Sequence, residues 1–540
     1  MAINTDIFLG SGANLALVPE TDLYIGLNDT TTTETVIQAE TDFVNNYLLV
    51  EDIYVGCVVD YYAAGTTTPA SSHICTANGV SSITISPAHS HTEANGDFIV
   101  IRSYGAPCVG QKSGTVKRLN ADNWLGVVES ATFPNVDVEV KQLNLSLGTT
   151  RNYEFQYKGI ETASGANINL VANHGAFLYY ALGSCSTVKA TTNNNHPTNR
   201  LTAGAAGDVY IDTGNAEDSG ESTITTHLNQ GPIFYKTGYA ATGTAGTALT
   251  PPLLNHLDAY TNVEQLLRTT TTATDLTNPI TYTFTEANGE ELPSFALEQT
   301  LSKLESSNTF ITGDTTLATE SHNFVRIARG NRVQTLTLTA NENEELKMTM
   351  DLNTRGVHRL KTNESYEARG GAGSDNDKLF NLNDTSDDAE FLEPFFFSSG
   401  SFTIFGEQFL KITNLSLTIN NNLQEKRFIG IGAKSLKTDI PSFRNYELSF
   451  TALVTDNRLF EELFDQEEQI GTGLTDDNGL IQLVFDKANG EQIKLQFKNY
   501  MINAANYTIP DDKGAITVEA TVMPRDLHLC EVKTHWVLQG

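Results

Sequence analysis

The sequence predicts a mainly β protein made of two related units, each carrying one short helix, with further β-rich segments inserted between their parts. Three observations lead there. Apolar and polar residues alternate over many short runs, as strands with one buried face require. Asn78-Gly79, Asn95-Gly96, Asn288-Gly289 and Asn489-Gly490 separate such runs, and Asn-Gly readily takes the positive φ angles of a tight hairpin turn. A module also recurs. Asn144-Leu145-Ser146-Leu147, then Arg151-Asn152-Tyr153-Glu154-Phe155, then an apolar helical stretch over 173–183, is echoed by Asn414-Leu415-Ser416-Leu417, Arg444-Asn445-Tyr446-Glu447-Leu448 and an amphipathic stretch over 457–464. A tetrapeptide repeats about once by chance in a chain this long, so the shared order of strand, strand and helix carries the weight.

The elements follow in order. Residues 1–42 hold the alternating runs Leu15 to Val18 and Leu23 to Leu27, closed by a threonine loop. Residues 43–108 contain strands over 52–62, 81–86 and 97–103 that close on their own turns, so they predict a small inserted β domain. The first unit comprises 1–42 and 109–330. Its strand from Val136 sets Val136, Val138 and Val140 against Asp137, Glu139 and Lys141, which places the valines on a core face. Strands at 152–158 and 168–171 and the helix follow. Residues 186–279 are rich in Gly, Thr, Asn and Pro, and such a length of irregular chain reads as a surface loop or a second insertion. Hairpins resume at 280–286 with 294–301, and again at 332–340 with 345–352. The second unit, 331–540, adds strands over 402–419 and 446–453, the helix at 457–464, the hairpin 481–485 with 492–497, and a strand over 515–523.

The 540 residues carry 65 Asp plus Glu against 34 Lys plus Arg, a net charge of −31. Such a surface repels nucleic-acid phosphates, which argues against a DNA-gripping groove and suits a lumen in which DNA must slide without sticking, while solubility or a saline habitat accounts for the same charge. Five scattered cysteines, with no Cys-x-x-Cys pair, imply buried thiols and neither a disulfide scaffold nor a structural zinc site. The amino terminus lacks the basic start and apolar core of a signal peptide, and the longest apolar helical run, Phe177 to Leu182, is too short to cross a bilayer. Folding in a cytosol is therefore expected.

Candidate chemistry is sparse. His89 and His91 share one face of an extended segment, with Glu93 close by and His73 or Cys75 as further ligands, so these residues are the best metal candidates. Exposed histidines at a hairpin end explain the same pattern more simply. Asp375, Asp377, Asp384, Asp387 and Asp388 offer oxygen ligands for calcium but lack the ligand spacing of an EF-hand loop, so a solvated acidic loop is favoured. Glu461, Glu462, Glu467 and Glu468 suit the polar side of an amphipathic helix better than an acid–base pair. No G-x-S-x-G, H-E-x-x-H, Walker A or dinucleotide motif is present, and no cofactor or enzyme activity is expected.

The stretch from Phe409 through Leu415-Ser416-Leu417 to Asn420-Asn421-Asn422-Leu423, then Tyr446 to Leu453, then Leu459-Phe460-Glu461-Glu462-Leu463-Phe464, a hairpin and a last strand near Pro524-Arg525, resembles the major tail tube proteins of tailed bacteriophages. Gly165 to Leu170 and Phe177 to Gly183 repeat the pattern. The resemblance covers 110–185 and 280–540. It implies two β barrels or sandwiches, each with a packed helix, joined side by side into rings that stack into a hollow tube for DNA ejection. It further implies a virion tail protein assembled in the host cytoplasm, which contacts itself and other tail proteins such as the tape measure, terminator or baseplate, with no membrane partner. Two units per chain would make the ring a trimer with pseudo-sixfold symmetry, in preference to a hexamer. Residues 43–108 would then lie outside the tube wall and be dispensable for polymerisation. The competing class is a baseplate, fibre or adhesin-like β protein that binds a surface ligand.

Overall fold

The computed structural model describes residues 8–20, 23–26, 35–38, 52–63, 66, 68–79, 82–91, 97–102, 104, 127–143, 155–175, 177–189, 210–212, 224–226, 280–287, 292–303, 323–359, 393–408, 411–428, 436–455, 457–465, 480–511 and 513–534. The chain opens with β1 (Phe8–Pro19). Then β2 (Leu23–Gly26), β3 (Val36–Gln38), β4 (Val58–Tyr62), β5 (Ser71–Asn78), β6 (Ser82–Ser86) and β7 (Phe98–Ile101) build a separate antiparallel sheet in the order β2-β7-β4-β5-β6-β3. After β8 (Val127–Thr132), strands β9 (Asn135–Leu143) and β10 (Phe155–Ser164) pair, among the described residues, only with each other. The path continues through β11 (Ala166–Val171), α1 (Phe177–Leu182), β12 (Gly183–Lys189), and the small ribbon of β13 (Tyr210–Asp212) with β14 (Ile224–Thr226). Strands β15 (Ile280–Glu286), β16 (Phe295–Lys303), β17 (Asn323–Asn341), β18 (Lys347–Asn353), β19 (Gly356–Arg359), β20 (Gly400–Ile404), β21 (Glu407–Gln408) and β22 (Ile412–Asn420) follow. A second ribbon, β23 (Gln424–Phe428) with β24 (Leu436–Ile440), precedes β25 (Asn445–Leu453), α2 (Arg458–Asp465), β26 (Ile481–Asp486), β27 (Gln492–Thr508) and β28 (Thr517–Thr534).

Sixteen of these strands form one sheet, running β21-β20-β26-β27-β28-β25-β22-β17-β18-β11-β8, with β15 and β12 joined at β28 and β16, β1 and β19 joined at β17. The mainly β expectation holds. Among the described residues the sheet stays open, and no closed barrel forms. Its long strands change partners along their length. The first half of β17 pairs with β16 and β19, and from Arg332 onward the same strand pairs with β18 and, from Thr335, with β22. One continuous strand thus serves two sets of ladders, with β16 and β19 on its first half and β18 and β22 on its second.

One core results. Ile168 and Leu170 pack in the same cluster as Leu336, Leu417, Phe450, Ile493 and Val532. The 330/331 boundary drawn from the sequence lies inside β17. Asn414 to Leu417 lies in β22, where Leu417 faces Leu448 of β25, whereas Asn144 to Leu147 falls outside the described residues. The two helices also differ: every residue of α1 is buried, while α2 buries Leu459 and leaves Phe460 48% exposed. The chain enters α1 through Gly175, where a Cβ would sit 2.9 Å from side-chain carbons of Ile493 and Val532, so only glycine permits this approach to β27 and β28.

The small sheet differs from the sequence expectation in composition and attachment. It draws two strands, β2 and β3, from outside 43–108. It is also held to the large sheet by arginines. Arg329 donates to the carbonyls of Ile53 and Val55, and Arg355 to those of Gly56 and Tyr104. Arg332 lies 3.9 Å from the Tyr104 ring centre and donates to the Asp439 carbonyl at 2.9 Å. Glu20, itself buried, accepts the Gly330 amide at 2.7 Å and the Ser294 hydroxyl at 2.5 Å. Burial holds the Arg329 guanidinium below its usual pKa range, against the opposing influence of Glu20. Buried cations persist only with such dense hydrogen bonding, so the small sheet is fixed in place.

Candidate assembly surface

The β9–β10 ribbon is the least protected element. All of β9 is exposed, including Val136 at 46%, Val138 at 42% and Val140 at 61%. The three valines lie on one face, at alternate positions of the strand. Leu143 and Phe155 form the outermost pair, on the opposite face, with Tyr157 close by and both aromatic residues more than half exposed. Nine residues of strand give the ribbon a length of about 30 Å. The valine periodicity read in the sequence is present. What it lacks among the described residues is a covering layer, because there β9 and β10 pair with nothing but each other. The ribbon's charges are partly neutralised in place, with Lys141 3.7 Å from Glu139 and Lys158 bonded to Glu161.

Two other surfaces share this character. The far half of the β27–β28 hairpin exposes Met501 and Met523, which are direct register partners, together with Tyr507, Ile509 and Ile516. At the end of β24 and just beyond it, Ile440 and Phe443 are exposed, the latter at 68%. Exposed apolar residues grouped on paired strands are a usual feature of contact surfaces. For a polypeptide of net charge −31 such contacts have a further use, since apolar surface lets like-charged copies meet.

The residues singled out from the sequence for metal binding are placed as follows. His73, His89 and His91 gather beside Tyr61, with the His89 and His91 rings 6.4 Å apart and both stacked against Tyr61. Both His73 nitrogens are engaged, Nδ1 with the Pro87 carbonyl and Nε2 with the Ser71 hydroxyl, each at 2.7 Å. Burial lowers the His73 pKa, with the nearby imidazoles adding to the effect. Cys75 is buried and directed to the Ala77 carbonyl, and desolvation raises its thiol pKa. Glu93, Asp375 and Asp377 lie outside the described residues, as do Asp384, Asp387 and Asp388. Among the described residues, no three His, Cys, Asp or Glu side chains come together in a way that could hold a metal ion. Asp60 and Asp97 are taken by other partners: Asp60 by Ser72 and Arg102, Asp97 by the Tyr61 hydroxyl, all at 2.5 Å. Glu461 accepts from Asn457 at the start of α2, an end-of-helix contact.

Sequence reading missed the arginine contacts of the small sheet and a buried Lys487–Glu491 pair in the β26–β27 turn. The arginine contacts join segments hundreds of residues apart, and Lys487 and Glu491, though only four residues apart, are buried by contacts with Asn173 and Thr534 that local sequence does not encode.

A single layered β body, with apolar ribbons projecting from it and among its described residues no helix long and apolar enough to cross a membrane, defines a β-structured assembly protein. The sequence pattern of the phage tail tube protein family matches residues 125–524, which is most of the chain. The chain belongs to that family and is a structural component of the virion tail. The matched span begins just before β8 and leaves the small sheet outside it. A solved chain from the virion of a native gene transfer agent particle shares 11% identity, covering 24% of this chain and 95% of its own, with a TM-score of 0.18 that bears no argument about fold. Comparison with curated proteins gives no match.

Proposed function

We propose that the chain is the major subunit of a tail tube, which assembles with copies of itself into rings that stack around a lumen for double-stranded DNA. The observation that carries this reading is the β9–β10 ribbon, whose apolar residues are exposed in the single chain and would be covered by a neighbouring copy. The open edges of the large sheet at β8 and β21 also call for a neighbour, because unpaired strand edges otherwise aggregate. The acidic surface suits passage of DNA without specific binding. At the tube ends the same surfaces would meet other tail proteins, such as the tape measure, terminator or baseplate.

Three chains per ring is the count we favour, each contributing two helix-backed regions, around α1 and α2, to a pseudo-sixfold wall. Electron microscopy of the purified protein tests the assembly, and image symmetry counts the subunits. Rings or tubes with threefold symmetry are expected. Six identical chains per ring would replace the trimer but keep the tube, whereas monomers or trimeric fibres at high concentration would point to a fibre or adhesin instead.

A further inference from the structure

We propose that Lys487 and Asn173 join through an intramolecular amide bond, with Glu491 shuttling the protons. The grouping is unusual for a structural β protein. Lys487 and Glu491 have side chains only 2% and 0% exposed, and Lys487 Nζ lies 2.7 Å from Glu491 Oε2. The same Nζ donates to the main-chain carbonyl of buried Asn173 at 2.5 Å and sits 4.5 Å from the Phe395 ring centre. Thr534 Oγ1 donates to the other Glu491 oxygen at 3.0 Å and fixes the carboxylate. Asn173 precedes α1, whereas Lys487 stands in the β26–β27 turn, so the two are remote in sequence but touch in the fold.

A buried ammonium–carboxylate pair is costly to keep charged, and a proton can move along the existing hydrogen bond to leave a neutral amine and a neutral acid. Desolvation lowers the Lys487 pKa, with Glu491 and Glu393 opposing that effect, and His174 beside the pair is held neutral by burial, its pKa lowered to about 3. The neutral Nζ lone pair attacks Cγ of the Asn173 carboxamide, and the C=O electrons move to Oδ1. Glu491 gives its proton to Nδ2 and takes one from Nζ. The Cγ–Nδ2 bond then breaks, ammonia leaves, and Nζ–Cγ remains as a secondary amide. No oxidant or cofactor is needed. The amine is held by the main-chain oxygen of the same residue, so the reaction requires the Asn173 side chain to turn and bring Cγ to Nζ.

The test is mass spectrometry of the purified, denatured full chain. The expected mass is about 17 Da below that of the sequence, the weight of ammonia lost on amide formation. Succinimide formation at an Asn-Gly pair such as Asn489-Gly490 loses the same mass, so the digest decides. Trypsin should yield a branched peptide joining Gly159–Lys189 to Leu459–Lys494, uncut after Lys487. In Glu491→Gln the branched peptide should be lost, and Asn173→Ala and Lys487→Met should give the sequence mass. A wild-type chain at its full sequence mass, a 17 Da loss without the branched peptide, or a branch that persists undiminished in Glu491→Gln each overturns the proposal. The result is independent of whether the protein forms tubes.

Discussion

Replacing Val136, Val138 and Val140 together with threonine removes apolar surface from the β9–β10 ribbon while keeping β-branched residues that suit a strand. In the single chain these valines are 46%, 42% and 61% exposed, so each has about half its surface left to bury against a neighbour. Full burial of a valine is worth about 1.5–3 kcal/mol, so burying the remaining half contributes about 1 kcal/mol per residue and about 3 kcal/mol for the three. That corresponds to a loss of affinity on the order of 100-fold per contact. The thermal midpoint of the unassembled chain should stay within about a degree of wild type, because exposed positions contribute little to monomer stability. Sedimentation across a concentration series gives the threshold for polymerisation, and light scattering gives its rate. A triple variant that polymerises at the wild-type threshold refutes the assignment of the ribbon as a subunit contact. A variant that instead lowers the monomer midpoint by many degrees shows that the valines face the body.

Further outcomes are expected elsewhere. The His174 pKa is lowered to about 3 in the fold against an ordinary 6.5, so its contribution to stability is full above pH 6.5 and is lost as pH falls towards 3; the loss is at most about 1.4 kcal/mol per pH unit. Urea midpoints between pH 7 and 4 should therefore fall less steeply in His174→Gln than in wild type, and equal slopes would discount His174. Arg329→Met leaves the buried carbonyls of Ile53 and Val55 short of a donor and should cost about 2–4 kcal/mol in chemical denaturation, a cost that an unchanged midpoint would disprove. Removal of 43–108 takes away β4, β5, β6 and β7, four of the six strands of the small sheet, leaves β2 and β3 without their partners, and strips Arg329 and Arg355 of their acceptors. The shortened chain should misfold, whereas a soluble product that still polymerises would restore the sequence expectation of a dispensable insert. Gly330→Ala should destabilise by about 1–3 kcal/mol, since φ is +63° there and the new Cβ would lie 2.5 Å from Arg355 Cβ, and thermal denaturation reads the change.

Much of the secondary structure was legible because it rests on local chemistry. The Asn78-Gly79 and Asn489-Gly490 pairs stand at the turns of β5–β6 and β26–β27, and the helices expected near 173–183 and 457–464 are α1 and α2. Alternation located β9 as well, but periodicity reports only which residues share a face. Whether Val136, Val138 and Val140 face a core or a neighbouring chain depends on what lies opposite, which strand patterning does not encode. The strand expected at 332–340 starts instead at Asn323, because the bend where β17 changes partners is set by Asn331 and Arg332 bonding to distant groups. Lys487 and Glu491 read as ordinary turn residues until Asn173, Phe395 and Thr534 close over them. The partners that satisfy His73, a serine hydroxyl and a main-chain carbonyl, are likewise not encoded in the spacing of the histidines.

The partner-changing course of β28 has a kinetic consequence. Residues 517–522 complete a ladder with β25, and residues 530–534 complete another with β15, whose partner Ile280 lies opposite Thr534. Loop closure over so long a separation is slow, and it brings little reward before the intervening strands are already in place. β27 and β28 form a local hairpin that can pair early, so the late step expected is docking of β28 on β25 and β15, and until it happens the edges of those two strands stand open together. During that interval each new chain is most exposed to pairing with the wrong copy, so the rate at which β28 closes, rather than the final stability of the sheet, sets how much of the protein survives to assemble.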